Sequence, residues 1–446
     1  MSHADFLFDI FARNRERDAI IWHDRVFDYD WLFHRATEAA YGVARFANPG
    51  DVISIESDFS PNSVAYFLAL LQRGCILVPL TSTVDAKKSE FLQIAQVVKR
   101  LTIDAEDRVD VLDGVANADH ALYETLRAAG HPGLVLFSSG STGASKAAVL
   151  DLSRILEKFR APRAAYRTIT FLLYDHIGGV NTLLYTLSNA GCLVTIDGRL
   201  PDEVLGAVAK HRVELLPTSP SALNLMLLSG AFDRHDLSSL QTITYGTEPM
   251  PESVLKRIHE RLPHVRLLQT YGLTEVGILR SKSKTSDSLW VKVGGEGFET
   301  RVVDGIFQIR AQSAMLGYLN APSPFTEDGW FITGDLVETD GDYVRFLGRK
   351  SEIINVGGEK VYPMEVESVI QEMPGVAEVT VYGEKNPILG MVVAARVTPA
   401  APVDEAAFTR ELKRHCAARL EKFKVPVRVT FSTEKQHSER FKKLRS

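Results

Sequence analysis

The stretch of this chain that is richest in chemistry is a Ser/Gly-rich run at residues 138–146, directly after an apolar segment at residues 134–137. Glycines let consecutive backbone N–H groups converge on an anion, while hydroxyls add hydrogen-bond donors and a lysine adds positive charge. The run therefore predicts a phosphate-binding loop. The residues that we expect to hold phosphate are Ser138, Ser139, Gly140, Ser141, Thr142, Gly143 and Lys146.

The spacing within the run excludes one class of phosphate loop. In a P-loop NTPase the last glycine directly precedes the lysine, and a serine or threonine follows it. Here Gly143 lies three residues before Lys146, and Ala147 follows the lysine. When the run is taken alone, the alternative to a phosphate-binding loop is an ordinary solvated Ser/Gly turn.

Three further motifs follow along the chain. They are Tyr271-Gly272-Leu273-Thr274-Glu275, Thr333-Gly334-Asp335, and a stretch that opens with Gly348-Arg349 and continues through Val356-Gly357-Gly358-Glu359-Lys360-Val361-Tyr362-Pro363. Each is short enough to arise by chance, but chance does not explain four in this order. Together they resemble the adenylate-forming superfamily, closest to its acyl- and aryl-CoA synthetases, which also includes peptide-synthetase adenylation domains and beetle luciferases.

The resemblance implies that a carboxylate attacks the α-phosphorus of ATP while pyrophosphate leaves, so the protein must neutralise and align two anions. It implies that Thr274 donates a hydrogen bond near the α-phosphate and that Glu275 binds Mg²⁺, which shares phosphate oxygens and needs few carboxylates. Asp335 is the expected acceptor for the ribose hydroxyls, with Arg349 nearby. For Glu275 and Asp335 the alternative is a solvated loop carboxylate.

A segment at residues 245–249 resembles the one that lines the adenine in this superfamily. Glycine lets backbone approach a flat base, and a tyrosine can stack on it. Tyr271 could instead belong to the core. The expected nucleotide-binding residues here are Gly246, Thr247, Glu248, Tyr271 and Gly272.

Residues 172–179 resemble the superfamily's acyl-pocket motif, with His176 at its aromatic-or-histidine position; a structural histidine is the alternative. Ile177 stands where amino-acid-adenylating domains carry an aspartate for the ammonium, which implies an acid without an α-amino group. The pocket looks apolar and favours an aromatic or medium-length acyl group over a dicarboxylate. The expected acyl-binding residues are His176, Ile177, Gly178, Tyr245, Gly272 and Ile278.

The C-terminal part is expected to serve both half-reactions. By resemblance Lys442 is the catalytic lysine, although Phe441 replaces the usual glycine and leaves Lys443, or a merely basic terminus, as the alternative. The resemblance also implies rotation about a hinge near Ser351. The residues expected along the pantetheine arm of CoA are Gly357, Gly358 and Lys360.

Length and periodicity predict the fold. The 446 residues exceed what one core usually serves. Short apolar runs alternate with amphipathic stretches over residues 134–268, which predicts a mostly parallel sheet covered by helices, and the polar run 281–288 predicts an exposed loop. We predict an α/β fold with a large N-terminal multi-sheet α/β domain, residues 1–348, and a small mobile α+β C-terminal domain, residues 349–446.

Composition excludes several classes of function. A net charge of −5 gives no basic field for nucleic acid. Three scattered cysteines exclude a disulfide framework and fit a reducing compartment. No apolar stretch of about 18 residues predicts a membrane span, and residues 1–17 lack the pattern of a signal peptide, so we expect a cytoplasmic protein.

The sequence thus predicts an ATP-dependent acid–thiol ligase, an AMP-forming acyl-CoA synthetase of fatty-acid or aromatic-acid metabolism that uses ATP, Mg²⁺, CoA and a small carboxylic acid. One alternative is an enzyme that loads the acyl group onto the phosphopantetheine arm of an acyl carrier protein. Another is a non-catalytic nucleotide-binding relative.

Overall fold

A computed structural model describes residues 2–115, 117–139, 145–433 and 436 of the chain. Some residues singled out from the sequence lie outside this range. They are Gly140, Ser141, Thr142, Gly143, Phe441, Lys442 and Lys443.

The helices vary from one and a half to four turns. In chain order they are α1 (Asp5–Arg13), α2 (Tyr29–Val43), α3 (Pro61–Arg73), α4 (Lys88–Ile94), α5 (Ala121–Ala129), α6 (Leu152–Glu157), α7 (Ile177–Ser188), α8 (Pro201–His211), α9 (Pro220–Leu228), α10 (Glu252–Arg261), α11 (Pro363–Gln371) and α12 (Glu405–Ala417).

The strands belong to several sheets. The strands of the first half are β1 (Asp18–Trp22), β2 (Arg25–Asp28), β3 (Val52–Glu56), β4 (Ile76–Leu80), β5 (Lys99–Ile103), β6 (Val109–Asp113), β7 (Gly133–Ser139), β8 (Ser145–Asp151), β9 (Arg167–Ile169), β10 (Cys192–Val194), β11 (Leu215–Thr218), β12 (Thr242–Tyr245) and β13 (Arg266–Gln269). Those that follow are β14 (Gly272–Leu273), β15 (Gly277–Ile278), β16 (Arg280–Ser283), β17 (Val291–Gly294), β18 (Phe298–Val303), β19 (Ile306–Ala311), β20 (Gly317–Tyr318), β21 (Phe331–Asp340), β22 (Tyr343–Arg349), β23 (Ile354–Val356), β24 (Glu359–Val361), β25 (Val376–Asn386), β26 (Gly390–Pro399) and β27 (Arg428–Phe431).

The first sheet has the order β13-β12-β11-β9-β10-β1-β2 and is parallel except for the β1–β2 pair. Its helices α8, α9 and α10 lie between successive strands from β10 to β13, in the alternation that the sequence predicts. The predicted parallel α/β sheet is therefore confirmed for residues 192–269. Buried apolar side chains of the strands and helices form one core beneath this sheet.

The second sheet has the order β20-β8-β7-β4-β3-β5-β6. It contains the apolar run 134–137. The alternation of apolar and amphipathic stretches in the sequence predicts that this run belongs to the same sheet as the strands up to residue 268. β7 instead pairs with β4 in parallel and with β8 antiparallel, so the phosphate-loop run joins two strands of a hairpin. Strand pairing depends on partners distant in sequence, and a local apolar run does not reveal which sheet it joins.

Helix α3 shows why the core of this part forms where it does. Ser60 caps the helix, accepting from the Ser63 backbone N–H at 3.1 Å, and Pro61 occupies the first turn. Gly74 ends the helix with a φ of +78°, a conformation that favours glycine. Between these signals most side chains are apolar and buried, so α3 lies inside the largest core cluster.

The third sheet is antiparallel, with the order β16-β17-β22-β21-β19-β18. Its edge strand β16 takes up residues 280–283, so the prediction of a loop over 281–288 is wrong for its first residues. The run is polar because this edge strand is only partly buried, and its residues pair with β17 from Arg280 to Ser283.

The last sheet has the order β24-β23-β26-β25, with β27 beside β26. Helix α11 packs against β25, and α12 packs against α11. It has its own apolar core, as an α+β unit requires. One hydrogen bond from this unit reaches the first sheet's helices, where Asn224 Nδ2 of α9 donates to Ala377 O at 3.3 Å. Among the described residues no helix has both the length and the apolar character that crossing a bilayer requires.

Candidate functional site

A short antiparallel hairpin carries the motif residues Thr274 and Glu275 at its turn. Its strands β14 and β15 pair Gly272 with Ile278 and Leu273 with Gly277. A Cβ atom on Gly272 would lie 2.4 Å from Ile278 Cδ1 and 2.7 Å from Gly277 O. Glycine at this position therefore permits the close strand approach that fixes the turn, and Thr274 is buried there.

Glu275 is held by a tyrosine that the sequence analysis did not assign. Tyr318 Oη donates to Glu275 Oε1 at 2.5 Å, and burial together with this carboxylate raises the pKa of Tyr318, so the phenol stays a donor. Lys146 Nζ lies 5.4 Å from the centre of the Tyr318 ring, a cation–π distance. Tyr318 thus links the lysine of the phosphate-loop run to the carboxylate predicted to bind Mg²⁺.

The neighbouring Asn320 fixes the start of β8. Its Nδ2 donates to Ser145 O at 2.8 Å, and its Oδ1 accepts from the Ala147 backbone N–H at 3.0 Å. These bonds flank Lys146, which pairs across the hairpin with Ser138. The sequence signal that could have revealed Tyr318 and Asn320 is the segment 316–320. This segment resembles the corresponding segment of the superfamily, but it carries no charged group that would draw attention to it.

Asp335 lies between two partners that the motifs predicted for the same site. Tyr271 Oη donates to Asp335 Oδ2 at 2.5 Å, and Arg349 Nε lies 3.4 Å from Asp335 Oδ1. Asp335 and Arg349 are cross-strand neighbours on β21 and β22. Burial and the nearby Asp335 carboxylate raise the pKa of Tyr271 well above its usual range. Three separate motifs therefore meet at one carboxylate.

The Tyr271 ring already has an aromatic neighbour. It stacks on Phe346, with ring centres 4.3 Å apart and planes 10° apart, and it meets Phe307 edge-on at 5.5 Å. Phe346 thus covers one face of the Tyr271 ring, as expected if Tyr271 belongs to the hydrophobic core. Stacking of adenine on Tyr271 stays a prediction.

Residues 245–249, predicted to line adenine and acid, follow β12. Tyr245 is buried in the core beneath the first sheet, and its role in acyl binding stays a prediction. A Cβ on Gly246 would lie 2.7 Å from Thr270 O, while Thr247 adopts a φ of +71°. Glu248 accepts from the Ser221 backbone N–H at 2.7 Å, so it caps the start of α9.

His176 has a structural partner. It is the N-cap of α7, and its Nδ1 accepts from the Gly178 backbone N–H at 3.2 Å. Gly178 itself lies in the first turn, tightly against Leu172. A structural role for His176, as the cap of α7, therefore has a physical basis. Contacts of His176 and Gly178 with the acyl group stay predictions.

Ile177 and Ile278 line one small cavity of about 250 Å³, counted with its open mouth. The cavity lies between α6, α7 and β15, so it adjoins the hairpin that carries Glu275. Ile177 and Ile278 are two of the six residues predicted to bind the acyl group, and polar side chains contribute to the rest of this wall. The apolar character of the acyl pocket stays a prediction. The remaining lining residues are Ile155, Lys158, Asn181, Gly277 and Ser313.

The predicted pantetheine loop is the turn of the β23–β24 hairpin. Gly357 and Gly358 have φ values of +61° and +98°, as a tight hairpin turn requires, and Asn355 Oδ1 accepts from the Gly358 backbone N–H at 2.9 Å. Lys360 is exposed beside it. Ser351 lies exposed in a 3₁₀ turn between β22 and β23. The structure does not test the pantetheine or hinge roles.

The donor set around Glu275 fits magnesium better than a metal that needs several protein ligands. Within the described ranges no group of three or more His, Cys, Asp or Glu side chains could hold a metal ion. Mg²⁺ is commonly bound by one or two carboxylates plus substrate phosphates, and Glu275 offers such a carboxylate at a fixed turn.

Comparison with protein-family models gives two matches. A model described as AMP-binding enzyme matches residues 7–304, and one described as AMP-binding enzyme C-terminal domain matches residues 365–442.

Curated proteins and solved structures give consistent similarities. Indoleacetate–CoA ligase of Aromatoleum aromaticum is 31% identical over 332 residues, which cover 68% of this chain and 64% of that relative, less than two thirds of its length. 2-Succinylbenzoate–CoA ligase of Bacillus licheniformis is 27% identical over 470 residues, which cover 96% and 95% of the two chains. The structure of the anthranilate CoA ligase AuaEII with anthranoyl-AMP superposes with a TM-score of 0.81 at 19% identity, covering 99% and 97%, and shows the shared fold.

Proposed function

Because the chain belongs to the AMP-binding enzyme family, we propose that it is an ATP-dependent acyl-CoA ligase. It joins a carboxylic acid to AMP with release of pyrophosphate, then transfers the acyl group to the thiol of CoA with release of AMP. The observation that carries the proposal is the segment 271–275, whose first residue bonds to Asp335 and whose last bonds to Tyr318. Through Tyr271, this segment contacts Asp335, the proposed ribose acceptor, and four residues after Tyr271 it carries Glu275, the proposed Mg²⁺ ligand.

In the first half-reaction the charge on ATP is the main obstacle. ATP with Mg²⁺ supplies the electrophilic α-phosphorus and the leaving pyrophosphate. Lys146 and the loop before it neutralise the outer phosphates, Glu275 holds the metal, and Asp335 accepts hydrogen bonds from the ribose. Lys442 adds positive charge beside the attacking carboxylate. Tyr318 and Arg349 position Glu275 and Asp335.

In the second half-reaction the C-terminal unit presents the loop with Gly357 and Gly358 to the pantetheine arm. We propose that residues 349–446 turn about Ser351 between the two half-reactions. The turn must break the hydrogen bond from Asn224 Nδ2 to Ala377 O, which joins two neutral groups and can be exchanged for hydrogen bonds to water. We also propose that the enzyme works in the cytoplasm.

The acid carries no α-amino group. Ile177 lines the cavity and offers an ammonium no acceptor. An unpaired ammonium here would cost several kcal/mol, on the order of a hundredfold or more in discrimination. Aromatic and medium-length acids, like those named for the relatives, are the expected class.

Pyrophosphate exchange tests the first half-reaction. A panel of aromatic and medium-chain acids is compared with the α-amino counterpart of each. We expect ATP- and acid-dependent exchange with the plain acids and none with the amino acids. Glu275→Gln should lower exchange, whereas the matched exposed change Glu296→Gln should not. Exchange with an amino acid, or with none of these acids, contradicts the proposal.

The acceptor is tested separately. With an acid that supports exchange, CoA is added and the thioester is measured by mass spectrometry, alongside a pantetheinylated acyl carrier protein. We expect acyl-CoA at a rate comparable with adenylate formation. If adenylate forms and only the carrier protein is acylated, the enzyme is instead a carrier-protein-loading ligase. If nucleotide binds and no adenylate forms with any acid, it is a non-catalytic relative.

A further inference from the structure

A lysine that the proposed chemistry does not use lies in the wall of the cavity beside the hairpin. Lys158 follows the last residue of α6, and its Nζ donates to Asn181 Oδ1 at 2.6 Å and to Ile278 O at 3.0 Å. Both acceptors are neutral. An ammonium has three protons to donate, so these two bonds leave one donor for the cavity that Lys158 lines.

The charge around this lysine is not balanced. In the part of the chain that the structure describes, Lys158 forms no ion pair with a carboxylate, and the charged groups that act on it are Arg163 and Arg280, both cations. Arg280 Nε is buried without a hydrogen-bond partner among these residues, and the only carboxylate within ion-pair distance of Arg280 among them is the exposed Glu296, 3.8 Å from Nη2. Burial, with these cations adding to it, lowers the pKa of Lys158 to about 7. A buried cation that lacks an anion is costly, and a ligand anion would relieve that cost.

We propose that the acid substrate carries a second carboxylate, at the end remote from the reacting one, which ion-pairs with Lys158 in this cavity. The inference rests on the proposed function and specifies its substrate class. The hairpin supports the geometry, because its turn carries Glu275 and its second strand, Gly277–Ile278, walls the cavity. The Asn181 side-chain amide supplies a further donor, since only its oxygen is used by Lys158.

This assignment changes the substrate preference that the sequence suggests. The sequence favours a plain aromatic or medium-length acid over a dicarboxylate because the residues it could place in the pocket are apolar. Lys158 and Asn181 add a polar end to the same cavity as Ile177 and Ile278. The expected substrate therefore has an apolar middle with a carboxylate at each end.

Pairs of acids that differ only in the remote carboxylate test the proposal. Hexanoate is compared with adipate, and 4-phenylbutanoate with its para-carboxy analogue, by pyrophosphate exchange. Because a hydrogen bond to a charged group contributes about 1.5–3 kcal/mol, kcat/KM should favour the dicarboxylate at least about tenfold. Lys158→Met should bring the ratio of the two kcat/KM values to one or below, because the remote carboxylate then has no cation to pair with, and Lys158→Arg should keep the preference.

Lys88 provides a matched control. It is a partly buried lysine too, but it pairs with Asp85 and lies at the junction of a 3₁₀ turn and α4. Lys88→Met should leave the ratio between the two acids as in the wild type. A ratio that falls equally in both variants would assign the effect to general destabilisation and overturn the proposal.

Binding to the wild-type enzyme gives a readout that needs neither turnover nor a variant. At pH 8 a lysine with a pKa of about 7 is about one-tenth protonated, so an incoming carboxylate that charges it should take up about 0.9 proton. Calorimetry in two buffers of different ionisation enthalpy measures this uptake. We expect it for adipate and not for hexanoate. Binding of adipate that is no tighter than binding of hexanoate overturns the proposal.

The outcomes also separate this inference from the proposed function. Exchange that is equally fast with both members of each pair refutes the role of Lys158 and leaves an acyl-CoA ligase for plain acids. Absence of exchange with every acid, while nucleotide still binds, refutes the ligase and with it the inference.

Discussion

Replacing Tyr318 by phenylalanine tests whether the site depends on the support of Glu275. The change removes one hydroxyl and leaves the buried ring, so it deletes the 2.5 Å hydrogen bond to Glu275 Oε1. A hydrogen bond to a charged group is typically worth about 1.5–3 kcal/mol, which corresponds to roughly ten- to a hundredfold. We expect kcat/KM for MgATP in pyrophosphate exchange to fall by about that factor, because the carboxylate loses its fixed orientation.

The magnesium dependence distinguishes this role from a merely structural one. If Tyr318 orients the metal ligand, the variant should need a higher Mg²⁺ concentration for half-maximal exchange. Thioester formation from a supplied acyl-adenylate needs no phosphate neutralisation and should change little.

Tyr123→Phe is the matched control. Tyr123 is fully buried and its hydroxyl donates to Ala95 O at 2.7 Å, away from the hairpin. This variant should lose about 1 kcal/mol of unfolding free energy and keep kcat/KM. If Tyr318→Phe behaves like this control, with unchanged kcat/KM and Mg²⁺ requirement, Tyr318 only packs beneath the site and the reasoning is wrong.

Three further predictions concern the nucleotide, the tail and the thiol loop. Asp335→Asn removes the anion that Tyr271 and Arg349 share, and should lower kcat/KM for ATP about ten- to a hundredfold in exchange assays; an unchanged value would mean that Asp335 does not hold the ribose. Lys442→Ala should slow adenylate formation by roughly a hundred- to a thousandfold but spare thioester formation from supplied adenylate, measured by single-turnover kinetics. If Lys443→Ala has that effect instead, the catalytic position is one residue later. Gly358→Trp should abolish acyl-CoA formation while exchange continues, and a loss of both would show that the hairpin turn matters for folding rather than for thiol access.

Much of the fold could be predicted because its signals are local. Helices α8 and α9 open at a proline, and β11, β12 and β13 are short apolar runs between amphipathic stretches, which is the pattern of a buried parallel sheet. The assignment of β7 to a different sheet could not be predicted in this way. It depends on pairing with β4 and β8, and pairing is set by packing between distant segments.

The site divides in a similar manner. The motifs, taken in their order along the chain, predicted that Tyr271, Asp335 and Arg349 belong to one site, and the structure brings these side chains together. The roles of Glu275, Asp335 and Arg349 stay predictions. Tyr318 and Lys158 were missed for different reasons. A tyrosine in an apolar segment looks like core until its hydroxyl is seen to reach Glu275, and a lysine at the end of an amphipathic helix looks like an exposed residue until α7 and β15 are seen to enclose it.

The hairpin of β14 and β15 also determines which positions tolerate engineering. Ile278 lines the cavity that we propose for the acid, and it also pairs with Gly272, three residues before Glu275. A smaller or larger side chain at Ile278 would thus alter turnover together with acid range. Ile155 and Ile177 line the same cavity from α6 and α7, which do not carry Glu275, the proposed Mg²⁺ ligand. Mutant libraries intended to change the acid substrate should therefore begin at Ile155 and Ile177. Substitutions at these two positions can alter acid selectivity without displacing the hairpin that carries Glu275.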